Sequence, residues 1–157
     1  MNFSRILING LIIYIGIALF FVLMETLGWS DQVYMRLLNF VFVIYGVNRT
    51  IKGNYKEGIE GYNTNLMSAI FTALTSLALT LASFVAYIEY QGGNQYLLKF
   101  EEFYLFGGGE PSLYQFLFGL VLEGLAASAI VSFALMQFWK DKVEKINKVD
   151  DSEHIQH

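Results

Sequence analysis

Three long stretches of this chain are almost free of charge. Residues 64–88 contain no Asp, Glu, Lys or Arg, and residues 6–27 and 111–139 contain one acid each, Glu25 and Glu123. Each stretch is longer than the about 20 residues that an α-helix needs to cross a bilayer. Because a helix satisfies its own backbone hydrogen bonds in hydrocarbon, these stretches predict transmembrane helices.

The composition excludes several classes of protein. Of the 157 residues, 55% are hydrophobic and only 15% are charged, against about 25% charged in ordinary soluble domains. A disordered chain and a conventional nucleic-acid binder are therefore excluded. The chain has no cysteine, which excludes disulfides and thiolate chemistry. Its histidines, His154 and His157, lack partners at metal-ligand spacing, so we expect no metal, no cofactor and no enzymatic activity.

The expected fold is all-α, a single membrane domain over residues 1–157 with four transmembrane helices in a bundle. The predicted spans are residues 6–27, 33–50, 64–90 and 112–139. The second is the weakest, because the apolar run from Leu37 to Val47 has only eleven residues. In the alternative topology this segment does not cross and three spans remain. Four are favoured, because the run would otherwise have no fold to bury it.

The distribution of Lys and Arg predicts the orientation. With four spans, both termini share one side with eight basic residues, and two remain on the other side. The positive-inside rule then places both termini in the cytoplasm. The three-span alternative gives the same ratio, so charge counting does not separate the two topologies. In the four-span topology, the eight basic residues on the side of the termini are Arg5, Arg49, Lys52, Lys56, Lys140, Lys142, Lys145 and Lys148. The two on the other side are Arg36 and Lys99.

Two further segments are expected outside the spans. Residues 94–106 alternate aromatic and charged side chains between glycines. This spacing predicts a short amphipathic helix on the outer membrane surface or across the mouth of the bundle. Residues 140–157 alternate Lys with acids, which predicts a solvated cytoplasmic tail.

Glu123 is the leading candidate for a functional residue. An acid near the middle of a span is costly and usually faces protein or water. Thr80 and Asn39 fall at nearly the same depth when residues are counted from the span midpoints, and Ser76 shares the polar stripe of Thr80. We therefore predict an intramembrane polar cluster of Glu123, Thr80, Asn39 and Ser76. The favoured interpretation is a neutral acid that is hydrogen-bonded to Thr80 or Asn39 and pins the bundle, with a proton or cation site and a subunit contact as alternatives.

Two other charged sets lie near the predicted ends of the spans. Glu25 and Arg36 are expected to form an ion pair at the outer interface. Arg49, Lys52 and Lys56 could attract anionic lipid headgroups, although their role in topology explains them equally well.

The connection between the second and third spans carries a resemblance. Its sequence, NYKEGIEGYNTNLMSAIFTAL, places Gly58 and Gly61 ahead of Thr64, Ser68 and Phe71. Together with the four-helix arrangement, it resembles domain of unknown function 4199, a family of small membrane proteins common in Bacteroidetes. The resemblance implies a bacterial inner-membrane location, and it carries over no activity or site residues.

These features predict a non-catalytic integral membrane protein that serves as an accessory or interaction subunit. Its expected partners are membrane lipids and other membrane subunits or a second copy of itself, and not nucleic acid. One alternative is a small oligomeric channel or proton-coupled carrier that uses Glu123. Another is a protein that binds lipid or a small hydrophobe.

Overall fold

The computed structural model describes residues 1–30, 32–98 and 112–143, and within them the only regular secondary structure is helical. Three of the helices are long and apolar enough to cross a membrane: α1, α4 and α6. The structure thus confirms that the described chain is all-helical and that it has helices long and apolar enough to cross a membrane. The helices are α1 (Phe3–Leu27), α2 (Val33–Arg36), α3 (Asn39–Lys56), α4 (Tyr62–Tyr90), α5 (Asn94–Leu97) and α6 (Leu113–Val143).

The predicted second span takes a different form in the structure. The expected helix over residues 33–50 is divided into α2 and α3, and α3 continues to Lys56. The two helices are joined by tighter turns, in which Leu38 N donates to Met35 O at 3.1 Å and Val41 N donates to Leu38 O at 3.0 Å. α3 carries three basic residues, so it is not among the helices whose composition alone suffices to span.

The helices pack so that α3 and α4 lie in the middle, with α1 and α6 on opposite sides of them. At one end of this bundle, Arg5 pairs with Glu57, and Gly61 N donates to Val143 O at 2.8 Å. We call this the terminal end, because α1 begins there and α6 ends there. The opposite end, which holds α2 and α5, is the distal end.

The terminal half of the bundle is closely packed. Ile13, Val47, Ile51 and Met136 are almost completely buried in its core. Gly46 lets α1 and α3 approach closely, since a Cβ atom at that position would lie 2.2 Å from Ile13 Cγ1. A side chain larger than hydrogen therefore has no room where these two helices cross.

The structure also bears on the predicted interfacial segment, the predicted tail and the start of the third predicted span. α5 covers the start of the predicted interfacial segment, and its Tyr96 and Leu97 are buried against the bundle; residues 99–106 lie outside the described residues. α6 includes the first residues of the predicted tail and ends at Val143, and the rest of the tail is also outside them. α4 has Gly61 as its N-cap at φ 96°. The helix therefore begins two residues before the predicted start of the span at residue 64, because the positive φ of Gly61 lets the chain turn there.

Candidate functional site

A partly open cavity of about 340 Å³ lies in the distal half and is lined mainly by α1, α3, α4 and α6. It forms where α3 begins at Asn39, while α1 and α4 continue toward the distal end and α6 passes the same level. Its walls are mostly apolar and come from Ile17, Phe21, Leu77, Phe84, Phe116 and Leu120.

An ion pair lies beside this cavity. Arg36 Nη2 is 2.6 Å from Glu123 Oε2, and both residues line the cavity. The Arg36 side chain is 24% exposed and that of Glu123 is 54% exposed. The predicted hydrogen bond from Glu123 to Thr80 or Asn39 is thus replaced by a charge-assisted contact from a different helix, because α3 packs against α6 and brings Arg36 within reach.

Glu25, the expected partner of Arg36, accepts a hydrogen bond from the hydroxyl of Tyr96 at 3.0 Å. Tyr96 lies on α5, outside the three candidate spans, and is buried. Burial, followed by the nearby Glu25 carboxylate, raises the pKa of the Tyr96 phenol well above its ordinary value of 10.0. The phenol therefore remains protonated and continues to donate to Glu25. This contact attaches α5 to the end of α1.

The cavity is also lined by the other three residues of the predicted cluster, Asn39, Ser76 and Thr80. Ser76 Oγ donates to Ala73 O at 2.9 Å. In contrast, Asn39 Oδ1 and Thr80 Oγ1 are buried and have no hydrogen-bond partner among the described residues, as is also true of Ser132 Oγ on α6. The structure thus brings the four predicted residues to one cavity, although it does not join them in one hydrogen-bond network.

Thr80 differs in this respect from the hydroxyl residues that precede it on α4. Ser68, Thr72 and Thr75 each donate to the carbonyl four residues earlier, at 2.7–2.8 Å, as is usual for Ser and Thr in apolar helices. A buried polar atom without a partner costs about 1–3 kcal/mol. Each of these oxygens has less than 1 Å² of accessible surface, so a rotation of the Asn39 or Thr80 side chain toward the cavity would let a bound molecule supply the missing hydrogen bond.

Among the described residues, no group of three or more His, Cys, Asp or Glu side chains converges in a way that could hold a metal. The groups that the cavity offers are an amide oxygen, hydroxyls, and an arginine already paired with a carboxylate. These groups can orient a polar end by hydrogen bonding, and the apolar walls can accommodate a hydrocarbon body.

The third predicted set, Arg49, Lys52 and Lys56, lies at the terminal end. These side chains line a groove of about 660 Å³ between α3 and the first turns of α1. Arg5, on the α1 side, also lines this groove, and its Nη1 donates to Asn54 Oδ1 at 2.7 Å.

Sequence reasoning missed a buried polar network in the terminal half. Asn9 Nδ2 donates to Thr50 Oγ1 at 2.9 Å, and Thr50 Oγ1 lies 3.0 Å from Thr72 Oγ1. Closer to the terminal end than these three residues, Asn54 Nδ2 donates to Asn65 Oδ1 at 3.1 Å. The sequence feature that indicates this network is the spacing of Thr50 and Asn54, which are four residues apart and therefore lie on one face of a helix.

Comparison of the chain with protein-family models, with curated proteins and with solved structures found no match. The resemblance to domain of unknown function 4199 therefore stays a prediction.

Proposed function

We propose that this chain is a non-catalytic integral membrane protein that binds a small neutral amphiphile with a hydroxyl end in the distal cavity. The observation that carries the proposal is the pairing of apolar walls with two buried oxygens that lack partners, Asn39 Oδ1 and Thr80 Oγ1. Of the expected functions, binding of a lipid or small hydrophobe is the one this geometry supports best.

The chemistry of the two oxygens favours a hydroxyl on the guest. Asn39 Oδ1 can only accept a hydrogen bond, whereas the Thr80 hydroxyl can donate or accept. A hydroxyl is the guest group that can donate to an amide oxygen and also accept from a threonine hydroxyl, so its chemistry suits either residue once that side chain turns toward the cavity. The positive and negative charges beside the cavity are already paired as Arg36 and Glu123, which favours an uncharged guest over an ionic one. The cavity volume lies within the roughly 300–1,000 Å³ of small-molecule sites.

We further propose that α3 crosses the membrane with the three longer helices and that both termini are cytoplasmic in a bacterial inner membrane. Support comes from the packing of α3 against α1, α4 and α6, which shelters its Thr50 and Asn54 from lipid. The terminal end also gathers Arg5, the basic residues of α3, and Lys140 and Lys142 of α6, as the positive-inside rule requires of a cytoplasmic face.

The binding proposal is tested by photo-labelling the full-length protein in bilayers with a long-chain alcohol that carries a diazirine in its chain. We expect labelling of cavity-lining residues on α4 and α6, competition by the unlabelled alcohol, and weaker competition by the matching alkane. Thr80→Val should reduce the advantage of the alcohol over the alkane by about two- to tenfold, because one hydrogen bond contributes roughly 0.5–1.5 kcal/mol.

Neighbouring alanines on α6 supply the matched control. Ala127 lines the cavity, whereas Ala126 is exposed on the outside of the bundle. Ala127→Leu should fill space in the cavity and abolish labelling, and Ala126→Leu should leave it unchanged. Equal labelling of both variants, or labelling confined to the outer faces of the helices, would overturn the proposal.

The accessory-subunit role and the channel or carrier role stay predictions. Glu123 pairs with Arg36, and this contact favours a structural or orienting role for the carboxylate over a role as an ion site. Proton or cation flux in liposomes that disappears in Glu123→Gln would instead favour the channel. Stoichiometric co-purification with a larger membrane complex would favour the accessory subunit.

A further inference from the structure

A second site is formed at the terminal end of the bundle, far along the helices from the distal cavity. Its basic wall is one face of α3, on which Arg49, Lys52 and Lys56 follow each other at intervals of three and four residues. The opposite wall is the beginning of α1, including Asn2 and Ser4. The groove between these walls has a volume of about 660 Å³.

Among the described residues, only one of the basic side chains in this groove is balanced by an acid. The guanidinium of Arg5 is held by Asn54 and Glu57. Within the described parts of the chain, Arg49, Lys52 and Lys56 form no salt bridge or hydrogen bond. Like charges at this spacing on a helix repel each other, and an anion placed between them would relieve the repulsion.

Arg5 also fixes the shape of the groove. Its side chain crosses α3 at Gly53, where a Cβ atom would lie 2.6 Å from Arg5 Nε. The close crossing joins the first turn of α1 to the last turns of α3, so the two walls are held together before any ligand arrives. A preformed site loses less conformational entropy on binding than one that must be assembled.

One end of the groove is apolar, and this decides between possible anions. Ile8 and Tyr45 line it there and are each 56% exposed, on helices whose outer faces meet lipid in the proposed topology. A free phosphate ion would use only the basic end. A phospholipid would place its phosphate among the basic side chains and its glycerol and acyl chains along Ile8 and Tyr45. Basic pockets between helices on the cytoplasmic side bind anionic headgroups in this manner.

We propose that the groove between α1 and α3 is a binding site for the phosphate of an anionic phospholipid of the surrounding membrane, held by Arg49, Lys52 and Lys56. The site is independent of the amphiphile in the distal cavity, since the two share no lining residue.

The test is native mass spectrometry of the full chain from mixed micelles that contain phosphatidylglycerol and phosphatidylcholine. The wild type is expected to retain phosphatidylglycerol selectively. The variant R49Q/K52Q should weaken this retention by about thirtyfold, because each basic residue near a membrane surface contributes roughly 1 kcal/mol. The matched control is K140Q/K142Q, which removes the same charge from the same end of the bundle and should leave selectivity almost unchanged.

A second variant tests the groove with all of its basic residues in place. Ser4 is exposed at the start of α1 and lines the groove. Ser4→Glu should weaken phosphatidylglycerol retention by placing a carboxylate in the groove. Folding should not suffer, because an acid suits the first turn of a helix.

Three outcomes would overturn the proposal. Equal losses in R49Q/K52Q and K140Q/K142Q would mean a general surface attraction. Displacement of phosphatidylglycerol by millimolar inorganic phosphate would identify a site for free phosphate. Unchanged retention in Ser4→Glu, with an unaltered gel-filtration profile, would place the lipid elsewhere.

Discussion

The two halves of the bundle differ in what surrounds their buried polar groups, although Ser132 Oγ, beside the terminal core, is also without a partner among the described residues. In the terminal half, Thr50 contacts Asn9, Thr72 and the Gly46 carbonyl, and the space around it is filled. In the distal half, Asn39 and Thr80 carry buried oxygens without partners beside a cavity. The same residue types are therefore hydrogen-bonded between helices in one half and unpaired beside a cavity in the other.

The difference follows from where α3 begins and ends. Four long helices surround the terminal half, and hydrogen bonds between them replace those that water would make. α3 starts only at Asn39, so three long helices enclose most of the distal half together with the short α2 and α5. The packing of side chains is incomplete there, and a cavity remains.

The largest effect is expected from Asn54→Ala in the terminal half. The substitution leaves Arg5 Nη1 and Asn65 Oδ1 without their partner, and both contacts are in or near the core. We expect a loss of about 3 kcal/mol in the free energy of unfolding. Equilibrium unfolding in mixed micelles measures it. The control is Asn63→Ala, an exposed position on α4, which should change stability by less than about 0.5 kcal/mol. Similar values for the two variants would show that the network is not structural.

A smaller contrast is expected between two glycines. An added methyl at Gly46 meets Ile13, whose side chain is completely enclosed, and should cost about 2 kcal/mol. At Gly124, the methyl meets Leu77 Cδ1, but Leu77 lines the cavity and can rotate into it. Gly124→Ala should therefore cost less than about 1 kcal/mol. Melting temperatures of the two variants give the comparison, and an equal loss would indicate that the distal half is as tightly packed as the terminal half.

The smallest effect, and the sharpest contrast, comes from replacing threonine with valine, which keeps the shape and removes the hydroxyl. Thr50→Val deletes a satisfied hydroxyl and should destabilise the protein by roughly 1 kcal/mol. Thr80→Val deletes an unsatisfied one, so stability in the absence of a guest should be unchanged or slightly higher. Unfolding curves in lipid-free detergent measure the difference. A loss in Thr80→Val as large as that in Thr50→Val would mean that Thr80 has a partner within the protein.

The contents of the candidate site were partly accessible from the sequence. Counting residues along the spans predicted that Asn39, Thr80 and Glu123 lie at one depth, and all three line the cavity. Their pairing was not accessible in this way. Arg36 was expected beside Glu25 because both lie near the outer ends of neighbouring segments, but it pairs with Glu123 of α6. Depth follows from the rise of a helix, whereas pairing depends on which helices are neighbours and how they are rotated.

The sequence by itself determined that long apolar helices form, because a run of apolar residues in hydrocarbon leaves the backbone no other way to satisfy its hydrogen bonds. It also determined where the basic charge concentrates along the chain. Only the tertiary structure decided that α3 begins at Asn39, that Arg36 pairs with Glu123, and that a cavity remains in the distal half of the bundle. These features depend on side-chain contacts between helices far apart in the chain, and the pattern along any one helix carries no information about them.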